Sequence, residues 1–279
     1  MLDTSDRDAV ESKVVPSSRA IAATLRRELS RFAVALALVL VVAIFSFWLP
    51  GIYFTTSNLL VTLGSQAVIL ILALGATLTL RLGDLDISFG ATMTVGGVIV
   101  GASTQQWHIG LGLGILAVVA FGVVVGAVNA LLVVGLGLSS FVATLGVMTV
   151  VTGIGFGISH TAVVTGLSPS LLSFIQQRLV GLPVGVWLGW LLALALWLLY
   201  EWTAFGRVLL FIGGSRNAAV LLGLPVARVR AAAYVVSSVI YALAGVVLAG
   251  QIGTADPSIS AQYLLPPLAA AFLGTTVIR

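Results

Sequence analysis

The chain has no cysteine among its 279 residues. Disulfides and thiolate metal sites are thereby excluded. Lysine occurs once, as Lys13, and Ser12 rather than glycine precedes it. A Walker-type phosphate loop needs Gly-Lys, so the chain has no ATP site of that kind. The two histidines, His108 and His160, do not stand at metal-ligand spacing; both fall at expected span ends and read as interfacial. With no cysteine, no histidine pair and no Ser/Lys arrangement, an intramembrane enzyme finds no support. Charge is scarce as well: 8% of residues are charged, where a soluble domain carries about 25%.

What remains is apolar. Hydrophobic residues make up 59% of the chain, and the mean hydropathy is +1.18. Several runs exceed the ~18 residues that mark a membrane helix, and none alternates as a barrel strand would. The expected fold is all-α, a polytopic transmembrane helical bundle. Residues 1–31 form a polar tail of mixed charge, with a short surface helix expected over 21–29. Residues 32–279 form the transmembrane domain. The first run, 32–49, reads as an uncleaved span, since no small-residue cleavage site follows it. Further spans are expected at 59–80, 87–103, 109–134, 140–159, 184–200, 230–250 and 263–278.

With the tail in the cytoplasm, Arg81, the loop 206–230 and Arg279 are cytoplasmic too. Twelve of the 13 basic residues then face inward, all but Arg178 in a long outer loop, 160–183. That distribution obeys the positive-inside rule and accounts for the net charge of +4 without a nucleic-acid partner. Trp48, Tyr53, Trp107, Trp187, Trp190 and Trp202 fall near span ends, as interfacial anchors do. Gly97 with Gly101, and Gly122 with Gly126, are small-xxx-small pairs that let helices approach closely. Gly153, Gly155 and Gly157 superficially resemble a phosphate loop, but they lie in an apolar span with no basic residue nearby.

Two stretches break the apolar pattern. The first is RLGDLDISFG at 81–90, with Asp84 and Asp86 the only carboxylates between Glu28 and Glu201. Intramembrane acids cost about 3 kcal/mol or more near the bilayer centre and mark function. One reading is a tight cytoplasmic turn, with Asp86 capping the next helix. The other is a helix broken within protein, its freed backbone lining a cavity or gate. No further ligand stands near the two acids, so a metal site is not indicated. Asn129, a lone polar side chain in a span, reads as an interhelical hydrogen bond.

The second stretch is 206–230, GRVLLFIGGSRNAAVLLGLPVARVR, which holds Arg207, Arg216, Arg228 and Arg230. Ser215 is placed to cap a short helix from Arg216 to Leu222. Gly223 can take the left-handed closing residue, and Pro225 stops further helix. A capped basic helix between two spans lies at the membrane surface and reads as a docking handle for a partner protein, within a cytoplasmic loop 202–230.

Four stretches together resemble one family. GDLDISFG (83–90) is similar to its GGIDLSVG, and SFVATLG (140–146) to its PFIATLG. Phe205-Gly206-Arg207 through Gly213-Gly214 to Ala218-Ala219 and Gly223 is similar to FGR…GGNxxAARLSG, and AGQIGTADP (249–257) to (A/R)xGSAxP. The chain thus resembles, from Leu59 onward, the permease subunit of ribose/xylose/galactose-type ABC importers, a group that includes the autoinducer-2 importer. Departures are Ser215 for the family's Asn, Val220 and Leu222 for its Arg and Ser, and Ser140 for its Pro.

The resemblance implies two inverted halves of about ten spans, of which about eight are present here, and an early stop inside the second half. From Leu265 to Ile278 only about 21 Å of helix can form, so the chain alone is expected to transport poorly. The resemblance also implies a second permease subunit, identical or related, a cytoplasmic ATP-binding subunit and a periplasmic sugar-binding protein. It implies no cofactor in this chain, ATP being bound by the partner. Gly83, Asp84, Asp86, Ser88, Gly90 and Asn129 would form the helix break or translocation path. Gly206, Arg207, Gly213, Gly214, Ser215, Arg216, Asn217, Ala218, Ala219 and Gly223 would couple to the ATPase. Branched-chain amino-acid permeases, with similar Gly-x-x-Asp-x-Ser chemistry, and an ion-coupled secondary transporter are the rival readings.

Overall fold

A computed structural model describes residues 36–277, with side chains described as far as Gly274. The tail 1–31, its expected surface helix, Lys13 and Arg279 lie outside the described residues. The chain divides at Asn58/Leu59 into two compact units. The first holds α1, Leu36–Trp48, followed by a turn in which the Phe45 and Tyr53 rings stack at 5.4 Å.

The second unit is a helical assembly. The chain enters it along α2 (Thr56–Leu80) and continues through α3 (Phe89–Gln105), α4 (Gly110–Ala130) and α5 (Ser140–Ser159). A short α6 (Pro169–Gln176) and a two-residue hairpin, β1 (Arg178–Leu179) with β2 (Leu182–Pro183), lead into α7 (Val184–Trp202). Then come α8 (Ala204–Gly214), α9 (Arg216–Leu221), α10 (Val226–Ile252), a 3₁₀ turn (Ile259–Tyr263) and α11 (Leu265–Val277).

Each expected span overlaps a helix, because a long apolar run favours one; α1 as described and α11, with 13 residues, fall short of the length that a crossing needs. Five helices are long and apolar enough to cross a bilayer: α2, α4 with its π-helical extension to Gly135, α5, α7 and α10. The 17-residue α3 differs in kind. It is buried from Phe89 to Ser103 and forms the centre of the core, against α4, α5 and α10. Small residues make that possible. A Cβ at Gly122 would lie 2.8 Å from the Val239 Cα, and one at Gly126 2.5 Å from the Val235 Cα. The Gly122/Gly126 pair therefore seats α4 directly on the α10 backbone. Gly97 meets the Gly245 carbonyl in the same way, at 3.0 Å.

Three elements inside the expected loops were not foreseen. The outer loop 160–183 contains α6, which buries Leu171 and Ile175, and the hairpin, whose turn places Val180 and Gly181 at positive φ. Part of the loop 202–230 is α8, capped by Thr203 Oγ1 on the Gly206 N–H.

α2 and α10 run antiparallel. Gly64 O accepts from Gln251, Gly75 faces Ile240 and Tyr241, and Asp84 meets Arg230, in that order along the two helices. Both helices end alike. Gly83 (φ +76°) and Gly253 (φ +82°) take the left-handed conformation. An aspartate follows three residues on and a serine five on, Asp86 and Ser88 in one case, Asp256 and Ser258 in the other. In both turns the aspartate Oδ1 accepts from the serine N–H and hydroxyl, at 2.9 and 2.7 Å in the first and 2.8 and 2.7 Å in the second. Two helices of opposite direction are thus each closed by a Gly-x-x-Asp-x-Ser turn, the relation that two inverted halves would give.

Candidate translocation and coupling site

The Arg81–Ser88 break is built to satisfy a backbone that leaves its helix. The Asp84 N–H returns to the Thr79 carbonyl at 3.1 Å. The Leu85 N–H donates to Ser140 Oγ and the Ile87 N–H to Thr144 Oγ1, each at 3.1 Å. Ser140 and Thr144 are one turn apart on α5, so they share a face. The SFVATLG stretch therefore serves the GDLDISFG stretch: its hydroxyls accept the amide hydrogens that the break releases. Leu82, Asp84, Asp86 and Ser88 are all buried.

The break also rises into the protein. The Phe89 ring lies 5.7 Å from the Tyr241 ring, eleven residues and about 16 Å along α10 from Arg230. A surface turn is thereby ruled out. Asp86 does serve the start of α3: its Oδ1 accepts from the N–H and hydroxyl of Ser88, the residue before the helix, which makes no side-chain cap bond of its own.

Asp84 is 4% exposed and lies at the centre of a charged clamp. Arg230 donates from Nε to Oδ2 at 2.9 Å and from Nη2 to Oδ1 at 3.0 Å, a fork geometry. Arg216 Nη2 adds a bond to Oδ1 at 3.2 Å and reaches the Leu82 carbonyl at 3.5 Å. No other ion pair occurs among the described residues. Arg216 opens α9 and Arg230 lies in the second turn of α10. The break and the basic loop, read separately in the sequence, are one site.

The docking loop takes the expected local form. Ser215 Oγ accepts from the Ala218 N–H at 3.3 Å, and Gly223 closes α9 at φ +72°. Gly213 lets α8 approach the break, since a Cβ there would collide with the Arg81 carbonyl. Gly206 is similarly pressed on the Leu199 and Tyr200 backbone, and a Cβ at Gly214 would meet nothing. Arg207 and Asn217 are exposed and Ala218 is half-buried. One position needs correction: Ala219 is fully buried, among Leu78, Leu82, Leu209 and Val226, and cannot touch a partner. Val220, Leu221 and Leu222, at the end of α9, are exposed, as are Leu210 and Phe211 of α8. Arg81 adds α7 to this end, stacking 3.8 Å over the Tyr200 ring, whose hydroxyl is 2.6 Å from Thr77 Oγ1.

Above the clamp is a buried polar cluster. Asn129 of α4 donates from Nδ2 to Ser88 Oγ at 2.9 Å, the interhelical bond expected of it. Asp86 Oδ2, Asn129 Oδ1, and the hydroxyls of Tyr234, Ser238 and Tyr241 are buried without a hydrogen-bond partner. Tyr234, Ser238 and Tyr241 share one face of α10 by their spacing of four and three, and the Tyr241 ring meets Phe89, three residues after Asp86. Sequence reasoning missed these three, although polar residues at helical spacing in an apolar span were the available signal. Gly90 closes the cluster: a Cβ there would lie 2.8 Å from the Ser260 carbonyl, just past the second turn. Among the described residues no three His, Cys, Asp or Glu side chains gather at metal-binding distance.

Membrane-length helices, a turn driven deep into the protein from the end of a span, and a charged clamp to a surface helix define a class, the polytopic transport permease. The family described as "Branched-chain amino acid transport system / permease component" matches residues 58–278, and the chain belongs to it. It is similar to the autoinducer 2 import system permease protein LsrC of Klebsiella pneumoniae subsp. pneumoniae, 35% identical over 89% of this chain and 71% of the relative. It is similar also to the D-allose transport system permease protein AlsC of Escherichia coli (strain K12), at 28% over 86% and 73%. The ribose import permease protein RbsC of the same strain is 29% identical over 86% and 76%. No solved structure matches the chain.

Proposed function

We propose that this chain is the permease subunit of an ATP-driven importer for a monosaccharide or similar small polyol. It lies in the bacterial inner membrane with its N-terminus in the cytoplasm. The permeases it resembles are named for ribose, allose and autoinducer 2, which favours a polyol over the amino acids of the family's title. The observation that carries the coupling is the Asp84 clamp. It ties a surface helix, through Arg216, to a carboxylate in the break itself.

On this reading a cytoplasmic ATP-binding subunit grips the exposed Val220–Leu222 edge of α9. Its closure moves α9, Arg216 carries that movement to Asp84, and the break shifts against Ser140 and Thr144. The orphaned polar atoms of Asp86, Asn129, Tyr234 and Tyr241 then gain partners among the hydroxyls of a passing solute. A second permease subunit completes the path, and a periplasmic binding protein delivers the solute.

The test is uptake of labelled D-ribose, D-allose and leucine by cells expressing the whole complex, with and without ATP depletion. Sugar uptake that collapses with ATP supports the proposal. Leucine uptake would transfer the chain to the amino-acid branch, and uptake that survives ATP depletion and follows an ion gradient would make it a secondary transporter. Orientation is separately testable, because the chain has no cysteine: Asn217→Cys should react with a membrane-impermeant maleimide only after cells are opened.

A further inference from the structure

A cleft of about 390 Å³ opens at the end of α2 and α10 opposite the clamp. Gln251 stands 21 residues beyond Arg230 on α10, about 31 Å of helix away. The cleft draws Ser65 from α2, Gln176 from the end of α6, Arg178 from β1, Gln251 from α10 and Tyr263 from the 3₁₀ turn. Its apolar wall includes Leu248 and Ile252. Of these polar residues only Arg178 stands out in the sequence, as the one basic residue of the outer loop; the rest do not, because they come from separate elements and α6 with its hairpin had no span signal.

We infer that this cleft is a binding site for a neutral monosaccharide, the point at which solute first meets the permease. The inference rests on the importer reading above and adds the place and chemistry of recognition. The volume falls in the range of about 300–1,000 Å³ that holds small ligands. Two amides are fixed for the task. Gln176 donates from Nε2 to the Gly250 carbonyl at 3.2 Å, and Gln251 from Nε2 to the Gly64 carbonyl at 3.3 Å. Their Oε1 atoms have no protein partner among the described residues, and are acceptors for hydroxyl groups. Arg178 has no carboxylate partner among the described residues and supplies donors in a planar fork. Tyr263 adds a ring face and a hydroxyl. This is the mixture a sugar needs, with donors and acceptors around its rim and an apolar surface against its C–H face.

The lining also excludes other classes. No carboxylate faces the cleft, so it offers no counter-charge to a cation or to the ammonium group of an amino acid. A phosphate-bearing lipid headgroup is the remaining occupant that Arg178 alone could attract.

The experiment uses Ser65→Cys in the complete importer on intact cells, the chain having no other cysteine. A membrane-impermeant maleimide should label it from outside. D-Ribose, D-xylose, D-allose or D-galactose at a few times its dissociation constant should slow labelling about threefold or more by simple occupancy. Leucine and a short-chain phosphatidylglycerol should not. Tyr263→Cys repeats the measurement from the opposite wall, should the first variant fail to assemble. Labelling only in opened cells, absence of protection by all four sugars, or protection by leucine or the lipid would each overturn the inference. Failure of the unmodified complex to import any sugar with ATP would instead refute the importer reading, while labelling and protection still decide whether the cleft faces out and binds sugar.

Discussion

The two Gly-x-x-Asp-x-Ser turns share a backbone and differ in everything around it. Each ends a long helix with a left-handed glycine, and each closes through an aspartate that accepts twice from its serine. At the first turn the residue after glycine is Asp84, buried and held by two arginines; at the second it is Thr254. Asp86 is buried and Ser88 carries Asn129, whereas Asp256 is half-buried and Ser258 exposed, with no charged partner among the described residues. The shared part is what any helix needs in order to stop and turn inward without stranding its amides. The unshared part gives direction: one turn is tied by arginines to a surface helix, and the other carries no charged tie and is held by a backbone bridge from Ala255 to Val164.

The largest expected effect comes from cutting that tie. Asp84→Ala leaves Arg230 charged and buried without its carboxylate, a loss of about 3–5 kcal/mol for a broken buried pair. The purified variant should melt far below the parent or fail to assemble, and uptake should vanish. Thr254→Val at the matched position should leave both nearly unchanged. Equal losses at the two sites would erase the distinction between the turns.

Next is the point where the turns meet. Gly90→Ala puts a methyl group 2.8 Å from the Ser260 carbonyl, and backbone gives way poorly. A destabilisation of about 1–3 kcal/mol is expected for such overpacking, seen as a lowered melting temperature. Gly214→Ala, with nothing within 4 Å, is the matched control. A neutral Gly90→Ala would mean that the two turns are not pressed together as described.

Arg216→Ala should separate stability from coupling. Its side chain is 46% exposed, so solvent screens the pair, and its loss should cost less than about 1 kcal/mol. Arg230 still holds Asp84 in this variant. Melting should therefore shift little, while ATP hydrolysis by the complex proceeds with much less uptake. Normal uptake per ATP would remove Arg216 from the transmission path.

How much of this was legible in the sequence follows the range of the interactions. The caps of α9 were readable because Ser215, Gly223 and Pro225 act within one short helix. The spans were readable because hydrophobic length is a local property. The clamp was not, since Asp84 lies 132 residues from Arg216 and 146 from Arg230, and nothing local pairs them. Ser140 and Thr144 looked like motif residues without a task until α5 was set beside the break. Ala219 looked like a coupling residue because it matches the family's motif, yet the helix turns it into the core. The matched turns were present as Gly, Asp and Ser at equal spacing, but identity at three positions in six gains meaning only once α2 and α10 are seen to run in opposite directions.

The smallest expected effect tests the second turn itself. In Asp256→Asn the side chain keeps an Oδ1 that accepts from the Ser258 N–H and hydroxyl, so the Asx turn survives. The change removes a charge that has no ion-pair partner among the described residues. A change in stability of less than about 1 kcal/mol is expected, because the half-buried side chain keeps its shape and its accepted bonds. Uptake should also persist, provided the periplasmic partner does not read this carboxylate. A large loss of uptake with unchanged melting would show that it does. The second turn would then be as firmly addressed by a partner as the clamped one is by its arginines, and the difference between the two would lie in which partner holds them.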